Sequence, residues 1–267
     1  MKVPRRKLKV LLVGDSCYDT YHSVVSFRDN PESDAPLVQR VSSTVRLGMA
    51  GNVKTCLENL CIEVIPILPD TDTFKVRYID RDSGRQLLRV DMEEPSKEGY
   101  IPKDLNISKF DAVVISDYDK GFVSHNMILQ LQDMAWCTNI PVFLDTKKKH
   151  LDQYTDCILK INTPEFESAH SLPPDLIMTE GAGGALDIKA SRVKHYPALR
   201  VECKDVCGAG DAFLAGLVYG TLNKFKDPIS YAIVNAGLSV EHIGTYAPTT
   251  RELNRGIIRY ASQLRNS

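Results

Sequence analysis

The chain has 267 residues, of which 43% are apolar and 25% charged. That composition suits a globular protein with a sizeable core, built as one large α/β domain or as a domain with a small appendage. The 33 basic and 34 acidic residues nearly cancel, so no whole-molecule field draws the chain to nucleic acid or to a membrane surface. The basic start, Lys2-Val3-Pro4-Arg5-Arg6-Lys7, reads as a solvated lead-in to the first strand. The apolar run that follows, Val10 to Val13, is too short for a signal-peptide core or a membrane span. The cytoplasm is the expected location, and neither nucleic acid nor membrane is an expected partner. The seven cysteines are odd in number and form no CxxC pair, which reads as reduced, mostly buried thiols. Cys203 and Cys207 have no histidine cluster near them and do not read as a zinc site.

In chain order, Lys9 to Gly14 is a short β-run ending in glycine and predicts a buried first strand. Asp15 to Asp19 follow at its carboxyl end, where open α/β sheets bind ligands. Residues 21–45 are polar and broken by Pro31 and Pro36. The alternation in Leu37-Val38-Gln39-Arg40-Val41 suggests an exposed strand there. Val53, Leu57 and Leu60 give 50–60 a helical spacing. Residues 73–91 alternate on both sides of Asp82-Ser83-Gly84, a β-hairpin signature. The two extended segments could pair as a small sheet beside the main domain.

From residue 110 the rhythm is strand then helix. Strands are predicted at Ala112–Ser116, Val142–Asp145, Cys157–Ile161 and Leu176–Thr179, and helices at 124–137, 211–223 and 228–243. Such alternation implies a doubly wound, mostly parallel α/β sheet with helices on both faces. No internal repeat, low-complexity tract or linker divides the chain, so 1–267 reads as one domain.

The sharpest chemical signal is Asp205-Val206-Cys207-Gly208-Ala209-Gly210-Asp211-Ala212-Phe213. A glycine-rich turn at a helix start exposes backbone N–H groups, and the helix dipole adds to them, making an anion site. Such a site can hold phosphate and stabilise charge during phosphoryl transfer. Asp211, in the first helical turn, is placed to accept a hydroxyl proton; on spacing alone it is equally well a helix cap. Asn162-Thr163-Pro164-Glu165 follows a strand and could hold a hydrated Mg²⁺ near phosphates, or form a capping box. Thr179-Glu180-Gly181-Ala182-Gly183-Gly184 is a loop that could approach a nucleotide, or a plain turn. The chain lacks GxxxxGK[ST], a full GxGxxG, GxSxG and HExxH, which removes the usual competitors. Asp117-Tyr118-Asp119-Lys120-Gly121 starts like a calcium loop but lacks the later ligands.

The ordered set resembles the ribokinase or PfkB-type carbohydrate kinases: an early Gly-x-x-x-Asn at Gly48 to Asn52, then Asn-x-x-Glu, Thr-x-Gly-x-x-Gly and Gly-Ala-Gly-Asp. Within them it most resembles the kinase domain of heptose-phosphate kinases of the ADP-heptose pathway. The stretches that carry this include Gly14-Asp15 with Asp19, Gly48-Met49-Ala50-Gly51-Asn52, Gln86 to Asp91, Ser116 to Gly121, Asp145-Thr146-Lys147 and Asn235-Ala236-Gly237. The likeness spans roughly residues 8–255.

The resemblance implies a ribokinase-like fold with a small β lid at about 20–45 and 73–92. It implies ATP and Mg²⁺ as cofactors, with a possible monovalent cation. Asp211 would be the catalytic base, and the amides of Gly208, Ala209 and Gly210 the anion hole. Asn162 and Glu165 would organise Mg²⁺ through water. Asn162, Thr179, Gly181, Gly184 and Asn235 would lie on the nucleotide side. Asp15, Asp19, Gly48, Asn52, Arg89, Asp117 and Lys120 would lie on the sugar side. The expected substrate is a sugar phosphate, D-glycero-D-manno-heptose 7-phosphate, phosphorylated on its anomeric oxygen, and the expected assembly a homodimer through the lid.

The chain also departs from the family. Cys207 stands where threonine is common, Met49 where a second glycine is common, and Thr146-Lys147-Lys148 where Pro-Lys-Gly is. A strand and helix are expected to be missing between Leu60 and Phe74, and a helix between Ser171 and Leu176. The length leaves no room for the nucleotidyltransferase domain that accompanies some heptose kinases, so a later step is expected on another chain. Two rival readings stand beside the main one. One is a kinase for another sugar or a nucleoside. The other is a trimmed, kinase-like binding or scaffold protein without activity.

Overall fold

The computed structural model describes residues 6–28, 30–70 and 73–266. Strand β1 (Lys9–Gly14) lies between β4 (Glu63–Ile67) and β7 (Ala112–Asp117), parallel to both. Its alternation decides both layers of the core. Val10 and Leu12 join one buried cluster, and Leu11 and Val13 the other. Because both faces are covered, the run is apolar throughout instead of alternating.

The sheet continues through β8 (Val142–Thr146), β9 (Ile158–Asn162) and β10 (Leu176–Thr179), all parallel. It ends in the antiparallel pair β11 (Ala185–Lys189) and β12 (Arg192–Tyr196). Among the described residues the order is β12-β11-β10-β9-β8-β7-β1-β4. One face is covered by α1 (Ala50–Asn59), α4 (Ala209–Leu222), α5 (Pro228–Ser239) and α6 (Thr250–Arg265). The other is covered by α2 (His125–Thr138), with α3 (Thr163–Ser168) at its margin.

A second sheet has the order β3-β2-β5-β6. It joins β2 (Ser16–Arg28), β3 (Leu37–Met49), β5 (Phe74–Asp80) and β6 (Gln86–Met92). The hairpin at 73–91 and the pairing of two extended segments are as expected. The first segment is longer than its sequence suggests, reaching back to Ser16 and on to Met49. Its polar inward residues, Asp19 and Tyr21, hide the strand pattern.

The stretch between Leu60 and Phe74 keeps a strand after all, β4 at the sheet edge, although no helix follows it among the described residues. Residues 172–175, before β10, likewise hold no helix. Met49 joins β3 to α1 with φ of 56° while only 4% exposed, a backbone region that glycine would fill without strain. No helix among the described residues is long and apolar enough to cross a membrane.

Candidate active site

The turn before α4 is built around Gly208, whose φ is +77°. A Cβ there would lie 2.6 Å from Asn52 Nδ2, so backbone angle and space both call for glycine. The first α4 bond is donated by Ala212 N to the Gly208 carbonyl. The Gly210 and Asp211 N–H groups therefore lie in the unpaired first turn, at the positive end of the helix. The Ala209 amide, assigned from sequence to the anion hole, instead donates to the Val206 carbonyl at 3.2 Å.

Asp211 is 4% exposed. Its Oδ2 accepts from Asn52 Nδ2 and its Oδ1 from Tyr118 OH, both at 2.8 Å. Burial pushes its pKa up to about 6, against the two hydrogen bonds, which pull it down. That places the group where a base works near neutral pH.

Asp211, Gly208 and Gly210 line a cavity of about 180 Å³ with Asp117, Tyr118, Asp145, Lys147, Lys160, Asn162 and Glu165. Its floor is the carboxyl end of β7, β8 and β9, which agrees with where parallel sheets bind ligands. Asn162 and Glu165 form a complete capping box at α3. Asn162 Oδ1 accepts from Glu165 N at 2.9 Å, and Glu165 Oε2 accepts from Asn162 N at 2.8 Å. Cap and cavity wall are thus one device. Glu165 Oε1 also accepts from Lys147 Nζ at 3.1 Å.

The donor set suits a hard divalent cation, since Asp117, Asp145, Glu165 and Asp211 offer only oxygen. Among the described residues no three metal-ligating side chains converge into a direct site. Both Glu165 oxygens already accept hydrogen bonds, so Glu165 and Asn162 fit a Mg²⁺ held through water.

Other residues singled out from sequence divide between the site and its scaffold. Asn52 is in the site, on Asp211. Asp15 is fully buried, and its carboxylate accepts from the backbone N–H groups of Tyr118, Lys120 and Phe122. It fixes the loop that carries Tyr118 and does not line the cavity. Asp117 lines the cavity, but its Oδ2 accepts from Thr146 Oγ1 at 2.5 Å and pairs with Lys148 at 3.2 Å. Lys120 reaches toward the lid, pairing with Glu93 at 2.5 Å.

Asp19, 4% exposed, takes Arg77 Nε at 2.9 Å and Tyr21 OH at 3.1 Å on the inner lid face. Arg89 lies opposite Arg77 in register and pairs with Asp91 at 2.6 Å. Gly48 lies at the root of the lid, facing Cys17 in register. Thr179, Gly181 and Gly184 mark the turn from β10 to β11, outside this cavity. Gly184 has φ of +102°, and a Cβ there would lie 2.0 Å from the Tyr196 carbonyl oxygen. Asn235 is fully buried, donating to the Ala212 carbonyl at 2.8 Å. It supports α4 from within and is not at the cavity.

Sequence reasoning passed over Tyr118, Asp145, Lys147 and Lys160 as site residues. The first three lie in stretches that carry the family resemblance. Lys160 had its own signal, a charge inside the buried strand ILKIN.

The model of the pfkB family of carbohydrate kinases matches residues 91–252. The bifunctional protein HldE of Trichlorobacter lovleyi is 28% identical over 92% of this chain and 62% of its own length. The chain therefore spans a little under two thirds of that relative. The solved ribokinase of Arabidopsis thaliana, complexed with ribose and ATP, aligns with a TM-score of 0.69 at 13% identity, covering 94% of this chain and 99% of its own. The nucleoside kinase of Methanocaldococcus jannaschii aligns at 0.67 and 16%, over 94% and 98%. At such identities the two structures speak for the fold, a ribokinase-like α/β sheet with a small second sheet.

Proposed function

The chain belongs to the pfkB family of carbohydrate kinases, and we propose that it moves the γ-phosphoryl of ATP to the anomeric hydroxyl of a sugar phosphate, D-glycero-D-manno-heptose 7-phosphate. The observation that carries the reaction is Asp211, a buried carboxylate with a pKa near 6 at the mouth of a helix N-terminus. The acceptor rests on the likeness to HldE at 28% identity and on the lid and loop stretches Gln86 to Asp91 and Gly48 to Asn52.

In this reading the acceptor hydroxyl approaches Asp211, which takes its proton as the oxygen attacks phosphorus. Asn52 and Tyr118 hold the carboxylate in the ionised form that can do so. The Gly210 and Asp211 amides face the transferring group and stabilise its charge. Bound Mg²⁺ would supply further neutralisation of the phosphates, with Glu165 and Asn162 holding it through water.

The lid sheet would close over the acceptor and exclude water. Its inner face touches the turn before α4, with Tyr21 OH 3.8 Å from Cys207 Sγ, and Arg46 donates to the Thr245 carbonyl at 2.6 Å. A homodimer through the outer lid face and a cytoplasmic setting complete the proposal.

The test is ADP release with Mg-ATP and heptose 7-phosphate, wild type beside Asp211→Asn. Sugar-dependent turnover lost in the variant supports both the reaction and the base. No turnover with heptose 7-phosphate or with a panel of sugars and nucleosides, in folded protein that still binds ATP, would leave a non-catalytic binding protein. Met49 and Cys207 are what favour that second reading.

A further inference from the structure

Strand β9 carries one residue that apolar packing does not explain. Lys160 lies between Leu159 and Ile161, which are buried in the core under α2. The strand's alternation turns Lys160 to the other face, toward the start of α4. It is 3% exposed, lines the catalytic cavity, and its Nζ is 2.8 Å from Asp145 Oδ2. A Cβ built on Gly210 would lie 3.1 Å from that same Nζ. The ammonium is thus packed against the turn whose amides face the transferring group.

Burying an ion pair in a sheet is costly, and apolar residues of the same volume often serve stability as well or better. Here the pair points into a cavity that the carboxylates of Asp117, Glu165 and Asp211 also line. Those three charges would repel a polyphosphate. The cation on that wall besides Lys160 is Lys147, whose Nζ is already paired with Glu165 and 44% of whose side chain is exposed. Lys160 sets a rigid positive charge beside the helix N-terminus, so two sources of positive potential converge at one point. An ammonium has three donors, and Asp145 takes one of them.

We propose that Lys160 is a catalytic residue, donating to an oxygen of the γ-phosphoryl group of ATP and neutralising charge on it as it transfers, with Asp145 as the group that positions it. The inference rests on the kinase reading and adds to it a residue for the nucleotide's terminal phosphate. The bond that breaks is between the γ-phosphorus and the bridging oxygen of ADP. The bond that forms joins phosphorus to the acceptor oxygen, whose proton goes to Asp211. Lys160 gives up no proton in either.

Nucleotide binding tests this without any acceptor. Affinities for Mg-ADP and for a Mg-bound ATP analogue with an imido β–γ bridge are measured on the full chain. The variants are Lys160→Met and the double variant Lys160→Met with Asp145→Asn. The double variant removes the pair together, so no carboxylate is left buried alone and the fold is spared. Wild type should prefer the ATP analogue over ADP. The double variant should lose that preference by about tenfold or more while ADP affinity stays nearly constant. In turnover, both variants should fall by about 10²–10³-fold.

A preference for the analogue that survives in the folded double variant overturns the proposal, as does a wild type with no such preference. Recovery of turnover in the double variant relative to Lys160→Met also overturns it, because Lys160 would then serve only to neutralise Asp145. Failure of heptose 7-phosphate as acceptor would overturn the substrate reading and leave the nucleotide result standing.

Discussion

Asn52 and Tyr118 both donate to the Asp211 carboxylate, and both favour its charged form against a burial that disfavours it. The balance, near 6, has opposite consequences for rate and for stability. A base must be ionised, so turnover should rise with pH and level off above about 6. The folded pKa lies above the ordinary 3.8, so the folded state keeps this proton longer than the unfolded chain does. As pH climbs from about 4 to about 6 the group costs the fold up to roughly 3 kcal/mol. Asp211→Asn removes both effects. Its turnover should drop by about 10²–10⁴-fold. Its melting temperature relative to wild type should increase between pH 5 and pH 7.5, as followed by thermal melts. A difference that is flat or falls with pH would mean that the carboxylate is not buried in its charged form. Tyr118→Phe removes one of the two donors, so the acidic limb of the rate profile should move up by about one pH unit. An unmoved limb would place the kinetic base elsewhere.

Turns at the site and away from it differ in how much backbone strain they can absorb, and two glycines make the contrast measurable. At Gly208 an added methyl group meets the Asn52 side chain, which can yield, so Gly208→Ala should cost about 1–2 kcal/mol for its left-handed backbone. It should cost more in rate, about tenfold or beyond, because Asn52 is pushed off Asp211. At Gly184 the methyl group meets the Tyr196 carbonyl, which cannot yield without unpairing β11 from β12. Gly184→Ala should therefore lower the melting temperature much further than Gly208→Ala. Equal losses in the two variants would contradict this account.

The same physical contrast explains what the sequence disclosed. Strands buried on both faces, such as β1 and β7, read clearly because each carries an unbroken apolar run, Val10 to Val13 and Ala112 to Ile115. Strand β2 escapes the sequence, whose alternation marks an exposed strand only at 37–41, because Asp19 and Tyr21 face a polar site and break its pattern. Helix α3, six residues long with none buried, gives no periodic signal, although its capping box was visible. Asp211, Gly208, Asn162 and Glu165 were legible because a turn and a cap constrain residue type locally. Tyr118 and Lys160 were not, because their roles come from which strands the fold sets side by side. Asp15 and Asn235 bond backbone groups of distant segments, partners that no local pattern announces.

At the scale of the whole molecule, the register of the lid sheet sorts its two faces. On the inner face Arg46, Asp19, Lys75 and Asp91 form one row, and Thr44, Tyr21, Arg77 and Arg89 the next. On the outer face the rows are Leu47, Tyr18, Phe74, Met92, then Val45, Thr20, Val76, Val90, then Ser43, His22, Tyr78, Leu88. Val45 is 58% exposed, Leu88 54% and Met92 49%. A four-stranded sheet with one apolar face in water is a surface to be covered. Because the proposed cover is a second copy, the contact is self-complementary, and each residue near the two-fold axis meets the same patch on its partner. Lysine at both Val45 and Val90 would thus set like charges against each other and bring them into an apolar contact. Sedimentation velocity should show a dimer for the wild type and a monomer for Val45→Lys with Val90→Lys. The main sheet shares no residue with this face, so the core unfolding transition should be little changed. Acceptor KM should rise in the monomer, since the lid would lose the support that holds it over the cavity. A wild type that sediments as a monomer at micromolar concentration would remove the dimer from the proposal and leave the site chemistry untouched.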